Sequence, residues 1–160
     1  MQHPYLIGEK VYLRALTEED LEGPWFDWVN DYEVTRLLGS ATGRVPNTAE
    51  SMKRYFQNVI QSPDNVMLAI MEKSSDTHIG NIKIGPIDRL HLFADMAILI
   101  GDKGSWGKGY GQEAWELMIA YGFERLNLHK ITLGVLAKHE VAVRLYERLG
   151  FKMEGTLRKQ

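Results

Sequence analysis

The first regular pattern along the chain is alternation. Val11, Leu13 and Ala15 are separated by Tyr12 and Arg14, which predicts a strand. The period then changes. Thr17 followed by Glu18, Glu19 and Asp20 reads as an N-cap and acidic first turn of a helix to about Val29, and Asp31 can cap a short second helix to Leu38. Asn47 or Thr48 caps a third helical stretch, in which Met52, Tyr55, Phe56, Val59 and Ile60 fall at helical spacing. Strands are predicted next over residues 66–72, 78–84 and 92–100. Their connections, 73–77 and 85–90, are too short for a crossover helix, so this part of the sheet is antiparallel. A helix over 110–126 buries Ala114, Leu117, Met118 and Tyr121. A strand over 129–135, a helix over 139–149 and the start of a further strand at 151–154 complete the series. The order β-α-α-α-β-β-β-α-β-α-β places the chain in the α+β (mixed α/β) class, with a mixed, centrally antiparallel sheet flanked by helices. No repeat, linker or low-complexity tract divides it, so residues 1–160 read as a single domain.

Chemistry enters where the strand ending at Ile100 meets the helix beginning at Tyr110. Gly107, Gly109 and Gly111 alternate there through Trp106, Lys108, Tyr110 and Gln112. Without Cβ atoms the backbone can turn sharply and direct successive N–H groups at one ligand, and the helix N-terminus adds partial positive charge. A pyrophosphate fits that description, and a plain glycine-rich turn is the alternative. Two common phosphate motifs are excluded by spacing. A Walker loop built on Gly107-Lys108 would need Gly where Asp102 stands and Ser or Thr where Gly109 stands. A dinucleotide fingerprint from Gly107 would need Gly or Ala in place of Gln112.

What remains resembles the pyrophosphate loop of the GNAT superfamily of acyl-CoA N-acyltransferases, Gln/Arg-x-x-Gly-x-Gly/Ala, read as Trp106-Gly107-Lys108-Gly109-Tyr110-Gly111. Trp106 replaces the usual Gln or Arg, as in the Trp-Gly-x-Gly-Tyr form of one branch. About 35 residues later, Leu145-Tyr146-Glu147-Arg148-Leu149-Gly150-Phe151 is similar to that family's Leu-Tyr-x-x-x-Gly-Phe segment, and the order of elements agrees over nearly the whole chain.

The resemblance implies an acetyl-CoA-dependent N-acetyltransferase, with acetyl-CoA as cosubstrate and direct transfer in a ternary complex. It implies that residues 106–112 bind CoA, that backbone N–H groups of Ile98 and Ile100 hold the pantetheine, and that Tyr146 protonates the departing thiolate. A phenol of reference pKa about 10 can share a proton with a thiol of about 8.5, so that role is chemically reasonable; a packed core tyrosine is the other reading. Asp95, early on the fourth predicted strand, is the candidate base for the amine, with a solvent-facing strand residue as the alternative. His139 stands where related chains carry an Asn that contacts pantetheine. Trp28, Asp31 and Glu33 are candidates for the acceptor wall, where capping and exposed-face roles explain the same residues; Lys103 and Lys108 are candidates for the CoA phosphates. The family also continues into one more strand beyond Arg158, which is missing here; either the chain is trimmed or a partner, including a second copy, supplies it.

Composition narrows the partners. The net charge of −2 argues against a nucleic-acid surface. No cysteine is present, so there is no thiol nucleophile and no disulfide framework. No signal pattern or long apolar run is present, so a cytoplasmic protein without a membrane span is expected, and no metal. The glycine pattern from Ile79 to Pro86 looks most like members that acetylate amino sugar nucleotides. A protein N-terminus or a polyamine is the alternative acceptor, and a non-catalytic acyl-CoA-binding module the alternative class.

Overall fold

In a computed structural model, which describes residues 1–38 and 43–158, the chain forms a six-stranded sheet in sequential order. β1 (Leu6–Ile7), β2 (Val11–Ala15), β3 (Val66–Glu72), β4 (Thr77–Asp88) and β5 (Phe93–Ile100) pair antiparallel, each with the next, and β6 (Lys130–Thr132) joins β5 in parallel. Helices flank this mixed sheet, as the pattern predicts. The acidic run does not start one continuous helix, however. A 3-10 turn over Glu18–Glu22 stops at Gly23, and Pro24, with no N–H to give, opens α1 (Pro24–Val29). α2 (Tyr32–Thr35) is capped by Asp31. In α3 (Ala49–Tyr55), Thr48 and Ser51 cap each other reciprocally, which settles the cap on Thr48, and the helix continues as a π-helical turn over Phe56–Ile60.

The sheet has two unlike faces. Under α4 (Tyr110–Glu124) and α5 (Glu140–Arg148) it is apolar, with Leu13, Ile70, Ile82 and Met96 packed against Trp115 and Met118. Under α1, α2 and α3 it packs Tyr12, Ala69 and Met71 against Trp25, Trp28 and Phe56. That second face also buries charge. The Arg14 guanidinium forks onto Asp20 at 2.9 and 2.8 Å, and Thr17 N–H donates to the same carboxylate at 2.8 Å. Burial alone would push the Asp20 carboxyl up, but Arg14 and Thr17 outweigh it and hold it below the ordinary carboxylate range.

Three strand expectations need correcting, and β1 adds a strand too short to alternate. β4 does not end at 84 but runs through a bulge to Asp88, so the connection to β5 is shorter than 85–90. β6 is three residues long rather than spanning 129–135, since the chain leaves β5 after Thr132. The strand expected from 151 does not form among the described residues: Phe151 turns inward and packs edge-on against Tyr146 and Trp115, leaving Met153 and Leu157 exposed with no ladder partner.

Candidate active site

Gly107 (φ 75°) and Gly109 (φ 83°) both take the left-handed conformation, and Gly109 is the N-cap of α4. The consequence is a run of N–H groups, residues 107–112, with no acceptor among the described residues; Glu113 N–H is the first to turn back, to Gly109 O at 3.2 Å. Side chains brace both ends of this cradle. Trp106 Nε1 donates to Ile100 O at 2.8 Å, and Tyr110 Oη donates to Glu72 Oε1 at 2.5 Å. The Glu113 carboxylate accepts N–H groups of Glu9, Lys10 and Val11 at 3.1, 2.9 and 2.7 Å, which ties the first turn of α4 to the start of β2. Lys108 is exposed. Lys10 Nζ donates to Lys108 O at 3.3 Å, so a second ammonium lies beside Gly109 that the sequence pattern did not single out. The cradle therefore presents N–H groups and two lysines to an anion.

Next to the cradle, the sheet forks. β4 carries one extra residue around Gly85 and Pro86, where pairing jumps from Ile84↔Met96 to Ile87↔Ala94, so this bulge lies opposite Asp95. On its other side β5 pairs with β6 only from Phe93↔Lys130 to Asp95↔Thr132. Thr132 Oγ1 donates to Asp95 Oδ1 at 2.9 Å, at the last rung before the strands part. Beyond it no strand pairs with that edge of β5 among the described residues. Gly101 N–H donates to Ile79 O on β4, so strand alternation turns Leu99 and Ala97 N–H toward β4 and Ile98 and Ile100 N–H toward the gap. Gly111 lets α4 close onto this strand: a Cβ there would lie 3.6 Å from Ile100 and 3.9 Å from Ile98.

The remaining candidates divide between the faces. Asp95 is exposed and projects away from the apolar cluster that holds its neighbours Ala94 and Met96. Tyr146, half-buried on α5, packs into that cluster; burial raises its phenol above the ordinary value, with the neighbouring Trp115 N–H acting the other way. His139 is the N-cap of α5, and burial together with the Arg36 charge lowers its imidazole. Trp28 offers little open surface: it is 7% exposed, packs edge-on against His78 at 5.0 Å, and lies so close over Gly101 that a Cβ there would fall inside the indole. Nor is Lys103 free for a phosphate: its Nζ sits 2.8 Å from Asp31 and 2.7 Å from Glu33. Those two carboxylates thus already hold an alkylammonium, and the Lys103 bond holds Asp31 below its ordinary pKa.

The chain matches the description "Acetyltransferase (GNAT) domain" over residues 10–152. It belongs to the GNAT acetyltransferase family. Among relatives, this GNAT domain is 32% identical to a probable N-acetyltransferase, YjcK, of Bacillus subtilis (strain 168), over 96% of this chain and 87% of that one. It is 35% identical to the spermidine N(1)-acetyltransferase of Vibrio cholerae, over 55% of this chain and 50% of that one. Among solved structures, spermidine N-acetyltransferase from Vibrio cholerae in complex with CoA and spermine superposes with a TM-score of 0.83 at 26% identity, covering 94% of this chain and 85% of that one. The GNAT domain is accordingly an acyltransferase enzyme of the N-acetyltransferase kind. Among the described residues no helix is long and apolar enough to cross a membrane, and no cluster of His, Asp or Glu has the arrangement of a metal site.

Thr132, Glu113 and Lys10 join the site only through tertiary structure. Glu113 had one visible signal, an acid in the first turn after a glycine loop, but its partners lie about a hundred positions earlier. Two shallow hollows of about 370 and 460 Å³ lie between α4 and the β1 edge, near Tyr121 and Glu116, away from the fork.

Proposed function

We propose that this GNAT domain transfers the acetyl group of acetyl-CoA directly to a primary amine of a small, cationic molecule, a polyamine being the best fit. The observation that carries the reading is the cradle of free N–H groups opening beside the β5–β6 fork with Asp95 at its root. The CoA diphosphate meets residues 107–112, Lys108 and Lys10, while the pantetheine follows the open edge of β5 at Ile98 and Ile100. His139, at the start of α5, supplies the pantetheine contact that an Asn supplies in related chains. At the fork the amine nitrogen attacks the thioester carbon, the C–N bond forms, and the C–S pair leaves on sulfur, which takes the Tyr146 proton. The proton lost by nitrogen passes to Asp95, directly or through water, and the Thr132 hydroxyl keeps that carboxylate in place.

For the acceptor, Asp31 and Glu33 favour a second positive charge, because they converge on one ammonium already. The relatives that act on spermidine agree with this. The same carboxylates would repel the diphosphate of an amino sugar nucleotide. A protein N-terminus carries no fixed second charge, and a pure binding module would have no use for Asp95 and Tyr146 together.

The test is thiol release from acetyl-CoA with polyamines, amino sugar nucleotides and peptides; the chain has no cysteine to add background. Polyamines should give the highest kcat/KM. Acetyl-CoA binding without turnover for any amine would establish the binding module instead. Asp95→Asn should lower turnover at neutral pH toward the smaller end of the ~10²–10⁴-fold range of general acid–base catalysis, since Asp95 is exposed. The gap should narrow as rising pH supplies neutral amine. A ratio to wild type near one at every pH would remove Asp95 from the chemistry.

A further inference from the structure

Trp115 lies in the second turn of α4, 1% exposed, and its indole Nε1 is buried without a hydrogen-bond partner. A buried donor left unpaired is costly and uncommon in a settled core. Packing calls for a large bicyclic ring, since Trp115 is the largest of the fully buried side chains, but not for its N–H. The indole meets the Tyr146 ring edge-on at 5.1 Å and 78°, and Phe151 at 6.2 Å and 74°, while Tyr146 and Phe151 meet at 6.1 Å and 72°. These contacts fix Tyr146 from two sides and set the one unpaired N–H of the group beside the one phenol. That N–H lies near enough to the Tyr146 hydroxyl to favour its ionised form, against the effect of burial, yet does not reach hydrogen-bond geometry.

We infer that Trp115 is a positioning residue for Tyr146, its indole N–H held in reserve for the phenolic oxygen and closing on it as Tyr146 gives up its proton. The inference rests on the reading of Tyr146 as the general acid. In that step the C–S pair goes to sulfur, the Tyr146 proton follows it, and a phenolate remains until water reprotonates it. A phenolate in an apolar cluster needs a donor, and Trp115 Nε1 is the buried donor there with nothing else to do. Before proton transfer the phenol needs no such bond, so the N–H is better paired in the transition state than in the resting enzyme, which is the condition for lowering the barrier.

Trp115→Phe keeps an aromatic edge and removes the N–H. A purely structural Trp115 predicts unchanged kcat, with a loss of thermal stability set by the ring volume removed, offset by deletion of the unpaired donor. The inference predicts a kcat about tenfold lower, KM for acetyl-CoA within about twofold of wild type, and a Tyr146 titration moved upward. That titration is read as the tyrosinate absorbance difference between each protein and its Tyr146→Phe counterpart. In the Tyr146→Phe background the Trp115 change should add no further loss. Unchanged kcat in folded Trp115→Phe, or losses that simply add in the double variant, would overturn the inference. If Tyr146→Phe alone turns over like wild type, the general-acid reading fails by itself, and the titration then decides whether Trp115 acts on Tyr146: an upward shift supports it and no shift overturns it. Should Trp115→Phe not fold, benzothienylalanine at position 115, nearly isosteric with Trp and lacking the N–H, answers the same question.

Discussion

The face under α4 and α5 is apolar and opens beside a cradle of backbone N–H groups, whereas the face under α1, α2 and α3 buries Arg14, Asp20, His78 and Asn81 among indole rings. The cradle of the first face is made by conformation: two left-handed glycines and the start of a helix. The second face is held by charge, both inside, at Arg14 and Asp20, and outside, where one Lys103 bridges two carboxylates, Asp31 and Glu33, and leaves a net negative charge. The lesson is that an anion cradle built from backbone tolerates changes of the side chains around it, whereas a surface built from side-chain charge changes with each substitution.

The comparison breaks most visibly at the buried pair. Asp20→Asn strands the Arg14 guanidinium in a face that is otherwise closed, and should cost about 3–5 kcal/mol in chemical denaturation, more than any single change at the cradle. A loss under 1 kcal/mol would mean that the charged face relaxes as easily as a surface. The same network predicts acid sensitivity. Burial lowers His78 in the folded state, so the unfolded chain takes up its proton first, and stability should fall as pH drops below about 6.5. Asp20, also depressed, adds a second loss as pH falls from about 3.9 through its folded value, and Asp20→Asn should lack that second step. Stability that is flat from neutral pH to about 5 would contradict the His78 part.

At the cradle, Gly109→Val forces a β-branched residue into a left-handed conformation with Lys10 Nζ 3.1 Å from its Cβ. Left-handed geometry costs an ordinary residue roughly 1–2 kcal/mol, so acetyl-CoA affinity should drop about tenfold or more with the fold retained. Calorimetry giving wild-type affinity for a folded variant would end the assignment of this loop to CoA. The smallest effect sharpens the acceptor side. Lys103→Gln frees Asp31 and Glu33 for an outside ammonium, so KM for a polyamine should fall by about threefold, with acetyl-CoA affinity unchanged and less dependence on salt than a long-range effect would show. An unchanged or higher KM would remove those carboxylates from acceptor binding.

Much of this molecule could be read along the chain, because the signals are local. Alternation set β2, Thr48 and Asp31 capped their helices, and the spacing of Gly107, Gly109 and Gly111 marked the cradle, since left-handed turns and helix starts are chosen within a few residues. The pairing of distant groups was decided only by tertiary structure. Whether an acidic side chain is free or engaged depends on what the fold carries to it: Lys103 to Asp31 and Glu33, Thr132 to Asp95, the turn before β2 to Glu113. Trp28 and Trp115 show the same limit for aromatic residues. Trp28 reads in the sequence as an acceptor-wall candidate and Trp115 is not singled out, yet one packs over Gly101 and the other brings an unpaired N–H to Tyr146, because strand alternation and helix packing, set by residues far away in the chain, determine which atom each indole meets.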